Sequence, residues 1–238
     1  PDGYTLYFAD TAILIAPSVY AKVNYDPLKS FSPVGGVCTL PLAIVANPAF
    51  PAKTVAELVG VLKADPGKYG YGSPGVGTVQ HLAMELFKKR AGVELLHVPY
   101  KGAAPIVPDL ISGQIPLAII SATPAMAQAR AGKAHVIALT SPVRIAGAPD
   151  WPALADTYPG FDASPKLFLL APAGTPASAI ARLSETLKAA LATADLQLAL
   201  VKQGATSAYS SPAALAAEIG EETRRWAELA KSLNIRLD

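Results

Sequence analysis

The chain has a single cysteine in 238 residues, Cys38, so it can form no internal disulfide. Cys38 sits in the apolar run Val37-Cys-Thr-Leu, which predicts a buried, inert thiol and not a nucleophile. Charge is also scarce. Asp, Glu, Lys and Arg make up 16% and the formal net charge is +2, with no basic run interleaved with aromatics, which argues against a nucleic-acid surface. No stretch approaches the roughly 20 uninterrupted apolar residues of a membrane-spanning helix. No signal peptide is visible, and the opening Pro1-Asp-Gly-Tyr is a turn leading straight into a strand, so the chain reads as entered in mid-domain.

Motifs that carry chemistry are equally sparse. The Gly-Lys-Ser/Thr of a phosphate-binding P-loop and the G-x-S-x-G of a nucleophile elbow are both missing. His81, His97 and His135 lie far apart and lack metal-ligand spacing, so no metal is predicted. No pair of carboxylates and no Ser/His/Asp set presents itself, and no cofactor is implied.

What is present is a folded, turn-rich chain: 51% apolar residues, 18 glycines and 22 prolines. Its centre is Tyr69-Gly-Tyr-Gly-Ser-Pro-Gly-Val-Gly-Thr-Val-Gln-His81, which reads as a short strand, a glycine-rich turn and the first turn of a helix running to about Arg90. The unpaired N–H groups of a new helix favour an anion, and Ser73 and Thr78 are short hydroxyl residues suited to capping and hydrogen bonding. The pattern recurs at His97-Val-Pro-Tyr-Lys-Gly102, expected to lead into a second helix over 103–112. Two helix N-termini with Lys101 between them make an anion pocket. Gly70-Tyr-Gly72-Ser-Pro-Gly75 also satisfies G-x-G-x-x-G, but two of its glycines fall inside the strand and Glu94 precedes its strand, so a dinucleotide role is rejected. His81 is expected to orient the loop more than to touch a ligand. Lys101 either points into the pocket or is a solvated turn residue; Tyr71 and Tyr100 are either core aromatics or pocket walls.

From Thr54 to Thr140 strand and helix alternate, the signature of an α/β lobe with a mainly parallel sheet. Strands are expected at 5–9, 95–98, 115–121, 136–140 and 167–171, and a strand pair within 31–46. Thr54-Val-Ala-Glu matches a capping box for a helix on which Val55, Leu58, Val59 and Leu62 share one face. A short helix or turn is expected at 12–20, with Pro17 in its first half, and helices at 122–131, from Thr175-Pro176 to about 192, at 195–203 and from Ser211-Pro212 to about 233.

Taken together, Tyr71 to His81, Val98-Pro-Tyr-Lys-Gly-Ala-Ala-Pro105 and Asp109-Leu-Ile-Ser-Gly-Gln114 resemble the tripartite tricarboxylate transporter substrate-binding proteins, the Bug-type, TctC-like periplasmic receptors. Pro1-Asp-Gly-Tyr-Thr-Leu6, Tyr25-Asp-Pro, Pro51-Ala-Lys-Thr-Val-Ala-Glu-Leu58, Ala171-Pro-Ala-Gly-Thr-Pro176 and Trp226 extend the likeness over essentially the whole chain. The resemblance implies a type II periplasmic-binding fold, two Rossmann-like α/β lobes with a ligand cleft at a two-segment hinge. Lobe one would be 1–41 and 167–238, lobe two 42–166. It further implies a non-enzymatic periplasmic receptor that captures a small carboxylate, a dicarboxylate or amino acid by preference. That receptor would deliver its ligand to membrane permease subunits without inserting in the membrane itself. Carried over by position, the ligand residues would be Asp10, Thr11, Ser73, Gly75, Val76, Gly77, Thr78, Tyr100, Lys101, Gly102 and Ser121, with His81 orienting the loop. Two departures stand out. Family members carry a further strand, glycine-rich loop and helix ahead of the Pro-Asp-Gly-Tyr turn, and they often show an aspartate where this chain has Ser121. An α/β enzyme acting on a small phosphorylated or carboxylated substrate, and a ligand sensor serving a signalling partner, are the alternative classes.

Overall fold

The computed structural model describes residues 1–237. The chain divides into two compact units, one formed by Pro1–Leu40 with the segment from Pro165 onward, the other by Pro41–Ser164.

The first unit contains β1 (Tyr7–Asp10), α1 (Ala12–Val19), β2 (Phe31–Thr39) and, after the excursion through the second, β8 (Lys166–Pro172), α6 (Ala177–Leu191), α7 (Ala194–Lys202), β9 (Thr206–Ser207) and α8 (Pro212–Ser232). Its strands order as β1-β8-β2-β9 and every pairing is antiparallel. Ala9, Ile13, Leu14, Phe168, Leu170, Leu215 and Ile219 form its core. Pro17 lies in the second half of α1, not the first as expected. Its missing N–H orphans the carbonyl of Ile13, and the Tyr25 hydroxyl donates to that oxygen at 2.9 Å. Thr175 does not cap α6: its hydroxyl donates to the Pro172 carbonyl at 2.8 Å and Pro176 takes the cap position. Cys38 is buried in β2, and burial pushes its thiol up to about 11, so it is an inert core residue.

The second unit contains β3 (Leu42–Ala46), α2 (Val55–Ala64), β4 (Gly70–Ser73), α3 (Val79–Ala91), β5 (Leu96–Pro99), α4 (Ile106–Ser112), β6 (Leu117–Ser121), α5 (Ala122–Arg130), β7 (His135–Leu139) and a 3-10 turn at Leu154–Asp156. The sheet order is β5-β4-β6-β3-β7. β4 runs parallel to β5 and β6, whereas β3 runs against both β6 and β7, so four strands point one way and β3 alone is reversed. The expected strand pair within 31–46 is therefore not a pair. β2 and β3 belong to different sheets, and the chain changes unit between them. The five residues of β3 are all buried, as a central strand covered on both faces requires. The capping box of α2 is formed: Thr54 Oγ1 accepts from the Glu57 N–H at 3.2 Å and the Glu57 carboxylate accepts from the Thr54 N–H at 3.2 Å.

The consequence for function is geometric. The carboxyl ends of β5, β4 and β6 lie side by side: β4 and β5 open into the two loops singled out above, and β6 ends at Ser121, directly before α5.

Candidate ligand-binding site

β4 ends at Ser73 and the loop 74–78 turns into α3. Gly75 and Gly77 adopt φ of +145° and +75°, values that L side chains resist, so the loop's shape requires glycine at both. Earlier in the strand, a Cβ on Gly72 would lie 2.6 Å from Ile115 Cδ1, so the glycine lets β4 pack close. Thr78 is the N-cap of α3, its Oγ1 accepting from the His81 N–H at 3.3 Å and donating to the Gly75 carbonyl at 2.8 Å. The N–H groups of the first turn behind that cap have no intrahelical acceptors and carry the positive end of the helix dipole.

His81 closes back on the same loop. Its Nδ1 accepts from the Gly77 N–H at 3.2 Å, which leaves the ring proton on Nε2. Burial holds its pKa below the usual histidine range, with Glu85 opposing and Lys88 reinforcing that shift. His97, given no role in the loop from sequence, is brought against His81 by the structure, the two rings 4.0 Å apart with 11° between planes. His97 also stacks on Tyr71 at 5.0 Å, its register partner across the β4–β5 pair. Its Nε2 lies 2.6 Å from Ser73 Oγ, which also accepts from the Gly75 N–H at 3.3 Å. Burial, then the neighbouring His81 and Lys88, push His97 down to about 4, so it is neutral at pH 7. Under the stack, the Tyr71 hydroxyl donates to Glu85 at 3.0 Å and Lys88 Nζ pairs with the same carboxylate at 2.7 Å. Burial and the carboxylate raise the Tyr71 phenol well above its ordinary value. Tyr71 is thus a core aromatic.

By distance alone Ser73 and His97 are a nucleophile–base pair. Burial decides otherwise: Ser73 is 0% exposed and its hydroxyl is spent on the Gly75 backbone and the imidazole. It braces the loop from below.

The second loop is tied to the first. The Tyr100 N–H donates to the Ser73 carbonyl at 2.9 Å, and the Gly102 N–H to the Pro74 carbonyl at 3.0 Å. The Tyr100 hydroxyl is committed to Asp109 at 2.7 Å, and desolvation, then that bond, push the phenol up to about 12. Lys101 is exposed and has no ion-pair partner among the described residues. The expected helix over 103–112 is shorter. It begins at Ile106, with Pro105 at the N-cap, and the Ile106 N–H donates to the Ala103 carbonyl at 3.3 Å in the turn that precedes it. Seven residues give α4 little dipole, so the second helix end contributes less than the sequence suggested. A different end takes its place. Ser121 is exposed at the N-cap of the nine-residue α5, at the end of β6, and its hydroxyl makes no capping bond. Val76 is the exposed apolar tip of the first loop, 39% accessible.

The two remaining predicted residues lie in the other unit. The Thr11 side chain is buried, and Oγ1 accepts from the Lys166 N–H at 2.8 Å. Asp10 is exposed at the end of β1, but its carboxylate accepts from the Ala12 N–H at 2.7 Å and so fills the N-terminus of α1 itself. Among the described residues there is no cluster of His, Cys, Asp or Glu suited to a metal ion, and no helix is long and apolar enough to cross a membrane.

A model of the tripartite tricarboxylate transporter family receptor matches residues 1–235. The chain is 34% identical over 230 residues to the UPF0065 protein in the tcbD-tcbE intergenic region of Pseudomonas sp. strain P51, covering 96% of this chain and 68% of that protein. It is 30% identical to BugT of Bordetella pertussis, covering 99% and 73%. Among solved structures, a periplasmic transporter superposes with a TM-score of 0.86 at 37% identity, covering 100% of this chain and 80% of the other. Rpa4515 of R. palustris with adipate gives 0.85 at 30% identity, covering 99% and 80%. MatC of Rhodopseudomonas palustris with bound malate gives 0.78 at 27%, covering 96% and 80%. The fold is that of the periplasmic solute-binding proteins. Within that class, the chain belongs to the tripartite tricarboxylate transporter family of receptors.

Proposed function

We propose that this protein is the periplasmic receptor of a tripartite transporter, that its two units are the receptor's lobes, and that it binds a small dicarboxylate and passes it unchanged to membrane permease subunits. The observation that carries the reading is the capped N-terminus of α3, held open by Gly75 and Gly77 at the carboxyl edge of three parallel strands. Ser121 at the start of α5 and the cation of Lys101 lie on the loops that follow the neighbouring strands, which suits an anion with more than one oxygen-bearing end. The acids next to the loop are already committed, Asp109 to Tyr100 and Glu85 to Tyr71 and Lys88, which leaves a dipole-lined surface. Adipate and malate in the two R. palustris structures are both dicarboxylates and support the same class.

The energetics require several partners. A helix end contributes at most about 2 kcal/mol to an anion, whereas micromolar binding needs about 8.2 kcal/mol. Backbone N–H donors, hydroxyls and the lysine must act together. A thermal-shift and calorimetric screen of adipate, malate, C3 to C6 monocarboxylates, amino acids and aromatic acids tests the reading. A dicarboxylate at one hundred times its Kd should stabilise the fold by about 2.7 kcal/mol. Silence across the whole panel, or consumption of any member, would overturn it.

A further inference from the structure

We propose that His97 is a positioning residue of the candidate site: stacked on Tyr71 and His81 and hydrogen-bonded to Ser73, it fixes the backbone of the glycine-rich loop in its anion-accepting shape. The argument is one of connectivity. Ser73 Oγ accepts from the Gly75 N–H at 3.3 Å, and its one proton has two acceptors in reach, the Gly75 carbonyl at 3.3 Å and His97 Nε2 at 2.6 Å; with the His97 ring proton on Nδ1, the shorter contact takes it. Through the ring stack the same imidazole holds His81, whose Nδ1 takes the Gly77 N–H. The two glycines whose φ values define the loop are thus tied, one through a serine and one through a histidine, to a single side chain on the neighbouring strand. The groups that face this pair are Tyr71 and Ser73 from β4 and Glu85 and Lys88 from α3. With Lys88 nearby, protonating either ring would put like charges together and take away an acceptor that a backbone N–H or the serine hydroxyl uses.

The inference rests on the loop being the ligand site, but its test needs no ligand, so the two can fail separately. Amide hydrogen exchange at Gly75 and Gly77 is read by NMR at neutral pH in the parent chain, His97→Phe, Ser73→Ala and the double variant. The phenyl ring keeps the stack and loses the bond to Ser73, and Gly75 should exchange on the order of fivefold faster, while core amides such as that of Ile119 are unchanged. The double variant should exchange no faster at Gly75 than Ser73→Ala alone. Additive effects, or a Gly75 amide indifferent to His97→Phe, would overturn the assignment. Should His97→Phe fail to fold, the parent chain decides: acidification should move the Gly75 amide resonance with the midpoint of the His97 ring and the Gly77 resonance with that of the His81 ring, and a Gly75 midpoint unrelated to His97 would refute the proposal.

Discussion

Removing the hydroxyl of Thr78 is the sharpest probe of the loop. That oxygen caps α3 by accepting from the His81 N–H, and its proton goes to the Gly75 carbonyl. Loss of an N-cap costs about 1 kcal/mol, and loss of the second, partly buried bond about another 1 kcal/mol. Thr78→Ala should therefore lose about 2 kcal/mol, which for a chain of this size lowers Tm by roughly 4–8 °C. Thr78→Val keeps the shape and loses both bonds, so it should match Thr78→Ala. Thr78→Ser restores both oxygen contacts and should sit near the parent. If the Gly75 bond holds the loop in its binding shape, its share of about 1 kcal/mol reappears as roughly fivefold weaker dicarboxylate binding. Urea unfolding gives the first quantity and calorimetry the second. A Thr78→Val variant as stable as the parent, or a Thr78→Ser variant as damaged as Thr78→Ala, would refute the reasoning, because shape and not hydrogen bonding would then be at work.

Three further expectations follow from the same structure. Glu222 on α8 is buried and accepts from Trp226 Nε1 at 2.8 Å while pairing with Lys166 and Arg225. Glu222→Ala should cost about 3 kcal/mol, and Glu222→Gln, which keeps an acceptor for the indole, about half of that; equal losses in urea titrations would contradict this. A Cβ on Gly36 would meet the Ala208 carbonyl at 2.7 Å and Ser210 Oγ at 2.5 Å, whereas one on Gly60 would meet nothing within 4 Å. Gly36→Ala should destabilise by about 2 kcal/mol and Gly60→Ala, in the exposed face of α2, should stabilise by roughly 0.5–1 kcal/mol; the reverse ranking of Tm would be decisive against it. The depressed pKa of His97 favours its neutral ring in the fold, so its contribution to stability is complete above the unfolded value near 6.5 and is lost as pH falls toward about 4. His97→Phe should flatten the stability-versus-pH curve in that window, and parallel curves for variant and parent would argue against it.

The parts of the fold that the sequence made legible are those set within a few residues. The α2 capping box, the Gly-rich turn into α3 and the Pro212 start of α8 are local signals, because a cap or a positive φ is decided by neighbours along the chain. Where the reading missed, it missed local rules that a proline changes. α4 starts three residues late, with Pro105 at its N-cap, and Pro17 sits in the back of α1, where a hydroxyl from Tyr25 satisfies the carbonyl it orphans. The loop residues themselves were named from sequence, yet what several of them do was not visible there. Ser73 reads as a hydroxyl for a ligand, and burial shows its side chain facing inward; Tyr71 and Tyr100 read equally as core aromatics or pocket walls, and the sequence does not show that Asp109 holds the Tyr100 hydroxyl.

Periodicity, glycine and proline placement and capping residues thus determined by themselves that this is an α/β chain with a glycine-rich loop at a capped helix start. Only the tertiary structure decided the rest. It reversed β3 among parallel neighbours and placed His97 against a serine and a histidine well separated from it in sequence. Strand pairing and ring stacking join residues across long separations, and their energy depends on what the whole sheet buries, a quantity that no short window of sequence contains.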